Sequence, residues 1–262
     1  MIIDPASFSL SDLAETPLRP PEPLANQAHV WLALTDVTHC PQRRQSYVAT
    51  LSTSEQDQYN RFRFERNRLE YLVAHTLVRS TLSRYALIEP RDWSFECNVH
   101  GRPEIVTGDG TPGLRFNLSH TRGLVACIVT NTVDCGIDVE YERPLDDLTQ
   151  LASAAFSIDE QDTLRSLPKE LQLERFYSYW TLKEAYIKAR GLGLSLPLQE
   201  FSFGLDETET PFLKIVEPLG GHPDEWQVLI SQATRMHKLA VALRRGPAAD
   251  LRIVCRFVEA WA

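Results

Sequence analysis

The sequence predicts an α+β fold made of two similar halves. Three observations carry this. Short runs of alternating or continuous apolar residues mark strands on either side of helix-like stretches. The order strand, helix, strands occurs roughly twice along the chain. At about 150 residues per domain, the 262 residues suit one large domain or two small ones, each able to bury a core. The division is expected near Val133 to Gly136, giving an N-terminal half over 1–134 and a C-terminal half over 135–262.

Residues 1–28 are polar and proline-rich, with Pro20-Pro21-Glu22-Pro23, and read as an extended arm. His29 to Leu34 is a strand. Ser52-Thr53-Ser54-Glu55 has the spacing of a capping box that opens a short helix. Asn67 is the expected cap of a longer one, in which Leu69, Leu72, Val73, Thr76 and Leu77 recur at helical spacing before Glu89-Pro90 stops it. Trp93, Phe95 and Cys97 alternate as a strand does, and Gly101-Arg102-Pro103 is a turn. Arg115 to Leu118 and Leu124 to Thr130 are strands flanking a loop at Ser119 to Gly123, and Cys135 to Tyr141 is another strand. A helix-rich stretch runs from Asp146 to Arg190 and ends at Gly191 and Gly193. Strands return at Phe201 to Leu205, Trp226 to Ser231, Leu239 to Leu243 and Ile253 to Val258.

Composition excludes several classes. With 43% hydrophobic and 24% charged residues the chain is neither disordered nor low-complexity. Its net charge of −8 argues against a general nucleic-acid binder. No apolar stretch approaches the ~20 residues of a membrane span, and the N-terminus has no signal-peptide pattern. Five cysteines without CxxC spacing predict neither a disulfide framework nor a cysteine zinc site, so a reducing cytoplasm is the expected compartment. Residues 1–135 hold 13 arginines and no lysine. Compositional bias accounts for that, although arginine forks also suit phosphate oxygens.

The chemistry concentrates in a few runs. In Gly136-Ile137-Asp138-Val139-Glu140, strand alternation puts Asp138 and Glu140 on one face and Ile137 and Val139 on the other. Two carboxylates side by side repel unless something positive lies between them. A divalent cation answers this, and a solvated edge-strand face is the commoner answer. Leu173, Phe176, Tyr177, Trp180 and Ile187 define the apolar stripe of a helix, the aromatic residues being core, and Glu184 falls on the same stripe. A carboxylate there needs a partner. Lys188, four residues on, supplies a local ion pair, or else Glu184 is a third acid aimed at the same cation. In Phe116-Asn117-Leu118-Ser119-His120, Ser119 and His120 can hydrogen-bond a phosphate or simply be a satisfied loop pair. Arg61, Arg63, Arg66 and Arg68 form a basic cluster mixed with Glu65 and Glu70, by default a solvated helix face.

Taken together, the runs 116–120, 136–140, Phe156-Ser157-Ile158-Asp159-Glu160, Trp180 to Lys188 and Gly191-Leu192-Gly193-Leu194 resemble the Sfp-type 4′-phosphopantetheinyl transferases over roughly residues 52–205. The resemblance implies two similar halves about a pseudo-two-fold axis with coenzyme A between them, in the long, monomeric form of the family. It implies transfer of the phosphopantetheine arm of coenzyme A to a serine of an apo acyl carrier or peptidyl carrier protein, with release of adenosine 3′,5′-bisphosphate. Asp138, Glu140 and Glu184 would hold magnesium, or manganese in its place. Lys188 would stand near the transferring phosphate, Ser119 and His120 would grip coenzyme A phosphates, and Arg102 would touch the nucleotide. Lys183 belongs to the motif and counts as a cofactor-side residue. The serine's proton would go to Glu184 or to a water held by the acids. Some family members carry lysines on the helix before the first basic cluster. Here that stretch reads Ser54-Glu55-Gln56-Asp57-Gln58, so Arg61, Arg66 or Arg68 are the expected grips on the 3′-phosphate. The family's precedent places the carrier near the junction of the halves and the segment Phe156 to Leu167, which includes Arg165. A paired-carboxylate glycosidase would also use Asp138 and Glu140, but leaves the run from Trp180 to Leu194 unexplained. Retention of all three acids and Lys188 favours an enzyme over a non-catalytic binder.

Overall fold

The computed structural model describes residues 24–35, 41–106, 113–215, 222–246 and 249–258. Most of the expected N-terminal arm lies outside them, as does Cys40. The first half runs β1 (Gln27–Leu34), α1 (Pro41–Thr50), α2 (Thr53–Arg61), α3 (Glu65–Leu82), β2 (Phe95–Cys97), β3 (Pro103–Ile105), β4 (Leu114–Thr121) and β5 (Leu124–Asn131). The second runs β6 (Asp134–Tyr141), α4 (Leu148–Ala155), α5 (Ile158–Ser166), α6 (Lys169–Arg190), β7 (Phe201–Leu205), β8 (Pro211–Ile215), β9 (Trp226–Thr234) and β10 (His237–Arg244), and a last strand, β11 (Arg252–Phe257), follows. The order strand, three helices, four strands is therefore repeated element for element, which is the duplication the sequence predicts. Among the described residues, no helix is long and apolar enough to cross a membrane.

Each half forms one principal antiparallel sheet with its last strand in the middle. These are β1-β5-β4 and β6-β10-β9, and β11 joins the free edge of β1 in parallel. A middle strand is covered on both faces, which is why Leu124 to Thr130 and His237 to Leu243 are buried without interruption. Val30, Leu32, Leu124 and Ile128 of one sheet meet Ile137, Val139, Leu239 and Val241 of the other in a core between the sheets. On the outer faces, α3 packs Leu72, Val73 and Leu77 with Trp31, Val125 and Cys127, and α6 packs Tyr179, Leu182 and Tyr186 with Ala240 and Ala242.

The halves also repeat one polar device. Ser52 caps α2 in a capping box with Glu55, and Ser157 caps α5 in a capping box with Glu160. Each box glutamate then binds a cation from the following long helix. Arg79 Nε lies 2.7 Å from Glu55 Oε2, and Lys183 Nζ lies 2.9 Å from Glu160 Oε2. The cation finishes on backbone carbonyls, Arg79 on those of Pro90 and Trp93, Lys183 on those of Leu198 and Phe201. A helix cap is thereby tied to the long helix and to the strand region beyond it.

Burial alone would raise the pKa of Glu55, but hydrogen bonds from His75, Arg79 and the Ser52 amide outweigh it and lower it to about 2. A depressed carboxylate stabilises the fold above its unfolded pKa and loses that contribution as pH falls through the folded value. Here the window runs from the ordinary 4.5 down to about 2. At ~1.4 kcal/mol per unit this is about 3 kcal/mol at neutral pH. Denaturant melts should show Glu55→Gln less stable by about 2–3 kcal/mol at pH 7, with the gap closing below pH ~4.5. A gap independent of pH would contradict this account.

Several sequence expectations are corrected. Asn67 does not cap α3, which begins at Glu65 behind Phe64 and has no side-chain cap. Trp93 precedes β2, and its indole donates to Ser83 Oγ. The helix-rich stretch from Asp146 to Arg190 is as expected, and it is divided into three helices because Phe156 and Leu167 take extended backbone after α4 and α5. The helix α1 and the strand β8 carry no periodic apolar pattern strong enough to announce them. Finally, Ser119 and His120 are not in a loop. The strand β4 continues to Thr121, and the turn is confined to Arg122 and Gly123, the latter at φ +90°.

Candidate active site

The site lies where the two halves meet edge to edge. The edge of β6 away from β10 faces β4, and it is satisfied by side chains rather than by a backbone ladder. Asn117 Oδ1 accepts the amide of Ile137 at 3.0 Å, Ser119 Oγ that of Val139 at 3.3 Å, and Thr121 Oγ1 that of Tyr141 at 3.1 Å. The alternation of β4 is what aims these three at one neighbour. The polar run from Asn117 to Thr121 is thus first a seam between the halves, and it delivers Ser119 to Asp138.

Across the outer face of β6 runs α6. Its close approach depends on Gly136, where a Cβ would collide with the Ala185 carbonyl and the Ala189 amide. The cross-strand neighbours Ala242 and Ala240 continue the small-residue saddle beside Gly136 and Asp138. Glu184 and Lys188, one helical turn apart, are seated beside the carboxylates of β6 in consequence.

Asp138 is buried, and its Oδ1 accepts from Lys188 Nζ at 2.7 Å and from Ser119 Oγ at 2.9 Å. Lys188 Nζ also donates to Ser119 Oγ at 2.8 Å. The other oxygen, Oδ2, is buried without a hydrogen-bond partner. Desolvation raises the pKa of Asp138, against the pull of Lys188, Ser119 and the Val139 amide. Glu140 Oε1 accepts from Trp180 Nε1 at 2.9 Å. Desolvation and the charge of Asp138 push its pKa up to about 7, opposed by Trp180 and Lys188. Glu184 is raised by desolvation and then by Asp138, opposed by Lys188. Asp138 raising both glutamates, Glu184 raising Glu140, one lysine among them and one orphaned buried oxygen amount to a deficit of positive charge. That donor set fits a hard divalent cation, which takes oxygen ligands. Among the described residues, no three acidic, histidine or cysteine side chains close into a ready-made cage. Magnesium does not need one, since it is usually held by one or two carboxylates with water and phosphate oxygens completing the shell.

His120 lies at the surface on the α3 side of β4. Partial desolvation comes first in lowering its imidazole pKa, with Lys188 and His75 acting the same way and Glu70 and Asp138 opposing. A cavity of about 560 Å³ opens against Glu140 and Trp180, floored by Phe176 and Tyr177 and rimmed by Arg66, Arg122 and Arg143. A second, of about 400 Å³, is lined by Arg102 and Arg115 together with Glu96 and Glu104 and contains none of the three acids.

The structure therefore brings together Asp138, Glu140, Glu184, Lys188 and Ser119, with His120 close by and Arg66 across the cavity. Other expected residues lie elsewhere. Lys183 is a correction. One residue from Glu184 is a turn of about 100° on a helix, and Lys183 points into the core, 1% exposed, committed to Glu160 and two carbonyls. Arg68 donates to the Phe62 carbonyl and pairs with Glu65, Arg61 is exposed at the end of α2, and Arg66, at the cavity rim, is paired with Glu70. Arg102 spends Nη1 on the carbonyls of Lys188 and Ala189. Lys188 pairs with Asp138 on another element rather than with Glu184 on its own. The sequence reading missed the second duty of Trp180, taken there as core alone. It also missed Arg122 and Arg143, whose only signal was proximity in sequence to the runs that end at His120 and Glu140.

A profile described as the 4′-phosphopantetheinyl transferase superfamily matches residues 134–243, and one described as 4′-phosphopantetheinyl transferase, N-terminal, matches residues 39–132. The chain is 38% identical to the 4′-phosphopantetheinyl transferase HetI of Nostoc sp., over 71% of this chain and 77% of that protein. It is 31% identical to the 4′-phosphopantetheinyl transferase Sfp of Bacillus subtilis, over 63% of this chain and 71% of that protein. Among solved structures, a holo-(acyl-carrier-protein) synthase from Bacillus anthracis in complex with CoA (3′,5′-ADP) overlaps 42% of this chain and 93% of that one, at 19% identity and a TM-score of 0.36.

Proposed function

We propose, since this chain belongs to the 4′-phosphopantetheinyl transferase superfamily and is an enzyme that modifies carrier proteins, that the cleft between β6 and α6 is where it transfers phosphopantetheine from coenzyme A to a carrier serine with magnesium bound. The observation that carries this is the Asp138 carboxylate, buried with one oxygen on Lys188 and Ser119 and the other orphaned, with Glu140 and Glu184 beside it. In this reading Asp138 and Glu140 hold the cation from the strand and Glu184 from the helix. Magnesium, when bound, would neutralise the diphosphate oxygens and polarise the phosphorus under attack.

The residues of the chain do the rest. Ser119 holds the carboxylate of Asp138 in place. Lys188, already aimed at that carboxylate, offers its ammonium to the phosphate oxygens, where negative charge develops. Glu184, beside Asp138 and one helical turn from Lys188, is the carboxylate proposed to accept the hydroxyl proton, directly or through a water. The bond from the carrier serine oxygen to phosphorus forms as the bond from phosphorus to the departing adenosine 3′,5′-bisphosphate breaks. Arg66, Arg122 and Arg143 at the rim of the larger cavity provide local positive charge on a chain of net −8, which favours encounter with acidic acyl or peptidyl carriers. One chain supplies both halves of the cleft, so the active species is a monomer.

The test is incubation with coenzyme A, magnesium and a panel of apo acyl and peptidyl carriers, followed by intact-mass measurement. The carrier should gain one phosphopantetheine, and chelation of the metal should stop the gain. An unchanged mass with every carrier, whatever divalent cation is added, would defeat the proposal.

A further inference from the structure

The last turn of an α-helix leaves carbonyls without partners, and it frays unless something caps it. Lys188 sits on the last turn of α6, and part of the cap there comes from the other half of the protein. Gly191, at φ +65°, returns its amide to the Ile187 and Lys188 carbonyls. Arg102 Nη1 donates to the Lys188 carbonyl at 3.3 Å and to the Ala189 carbonyl at 3.0 Å. Asn98 Nδ2 donates to the Gly191 carbonyl at 3.1 Å. Both donors belong to the turn between β2 and β3, and that turn is closed on itself. Asn98 Oδ1 accepts the amides of His100 at 2.9 Å and Arg102 at 3.0 Å, and the Asn98 amide donates to the Arg102 carbonyl. The contact is close, since a Cβ on Gly191 would stand 3.1 Å from Arg102 Nη1. The cavity that Arg102 borders is also lined by Arg115, Glu96 and Glu104, with Arg115 3.6 Å from Glu104.

We infer that Asn98 and Arg102 are positioning residues that hold the reacting lysine. By capping the end of α6 from the first half, they fix the backbone of Lys188, and with it the reach of its ammonium to Asp138 and to the transferring phosphate. This rests on the reading of Lys188 given above. A cationic guanidinium at a helix C-terminus also opposes the negative end of the helix dipole.

Asn98→Ala and Arg102→Ala separate this role from a nucleotide contact. Measured by hydrogen exchange in the free protein, the amides from Lys188 to Leu192 should exchange about tenfold faster in both variants. The turnover number should fall about tenfold, because a misplaced catalytic group costs rate rather than binding. The affinity for adenosine 3′,5′-bisphosphate by calorimetry should stay within about threefold. Weakened binding with exchange and turnover unchanged would make Arg102 a ligand contact and overturn the inference. So would unchanged exchange, or faster exchange with normal turnover. If Arg102→Ala does not fold, Asn98→Ala, which removes one hydrogen bond to α6, carries the test alone. A wild-type protein that transfers nothing would defeat the proposed function instead, and the exchange experiment would still measure the cap.

Discussion

Glu184→Gln is expected to cut phosphopantetheine transfer by a factor of about 10³ while leaving the thermal midpoint within about 3 °C of the parent. The reasoning has two parts. In activity, the substitution removes both a carboxylate of the cation site and the base for the serine proton. General-base catalysis alone is worth about 10²–10⁴. In stability, the carboxylate contributes little, because burial and Asp138 together disfavour its charge. Neutral glutamine of the same shape relieves that repulsion. Turnover in the mass assay gives the first quantity, and manganese titration followed by electron spin resonance gives a second readout, in which affinity should fall at least about tenfold. Normal turnover in Glu184→Gln would remove Glu184 from the reaction, and unaltered manganese affinity would remove it from the cation site.

Lys183→Met, one residue earlier on the same helix, should do the reverse. Lys183 is 1% exposed and Glu160 equally hidden, and the pair sits 2.9 Å apart. Desolvation works against both charges, lowering the lysine and raising the glutamate, and their mutual attraction offsets it. Methionine fits the volume but strands the Glu160 carboxylate in the core and leaves the Leu198 and Phe201 carbonyls without their donor. Loss of one partner of a buried pair costs about 3–5 kcal/mol, so denaturant melts should show a drop of that size. Turnover per folded molecule should stay within about threefold, since the residue touches nothing in the cleft. The double variant Lys183→Met, Glu160→Gln should recover much of the loss, because no unpaired charge remains. A stable Lys183→Met protein with weakened coenzyme A binding would restore Lys183 to the cofactor side, where the family resemblance had placed it.

The contrast between residues 183 and 184 shows where sequence reasoning ends. Alternation along β6 put Asp138 and Glu140 on one face without any knowledge of neighbours, and the structure has both on the α6 side. The capping box at Ser52 and the helix stop at Gly191 were legible because they depend on residues within one or two turns of each other. The box at Ser157 is present in the run Phe156 to Glu160 but was read only as part of a resemblance, and its likeness to Ser52, Glu55 and Arg79 emerged once Lys183 was seen to play the part of Arg79.

The chain's own chemistry thus determined which side chains exist, which way each points from its own strand or helix, and how each element starts and stops. Only the tertiary structure chose their partners. Lys188 finds Asp138 at a separation of 50 residues rather than Glu184 at four, and Arg102 reaches the end of α6 across 86. The physical reason is that local periodicity fixes a direction relative to the element's own axis. The distance to a group on another element depends on how closely two apolar faces can approach. Here that was decided by the missing side chain of Gly136 and the small ones of Ala240 and Ala242, which let a helix and its charges settle onto a strand of acids.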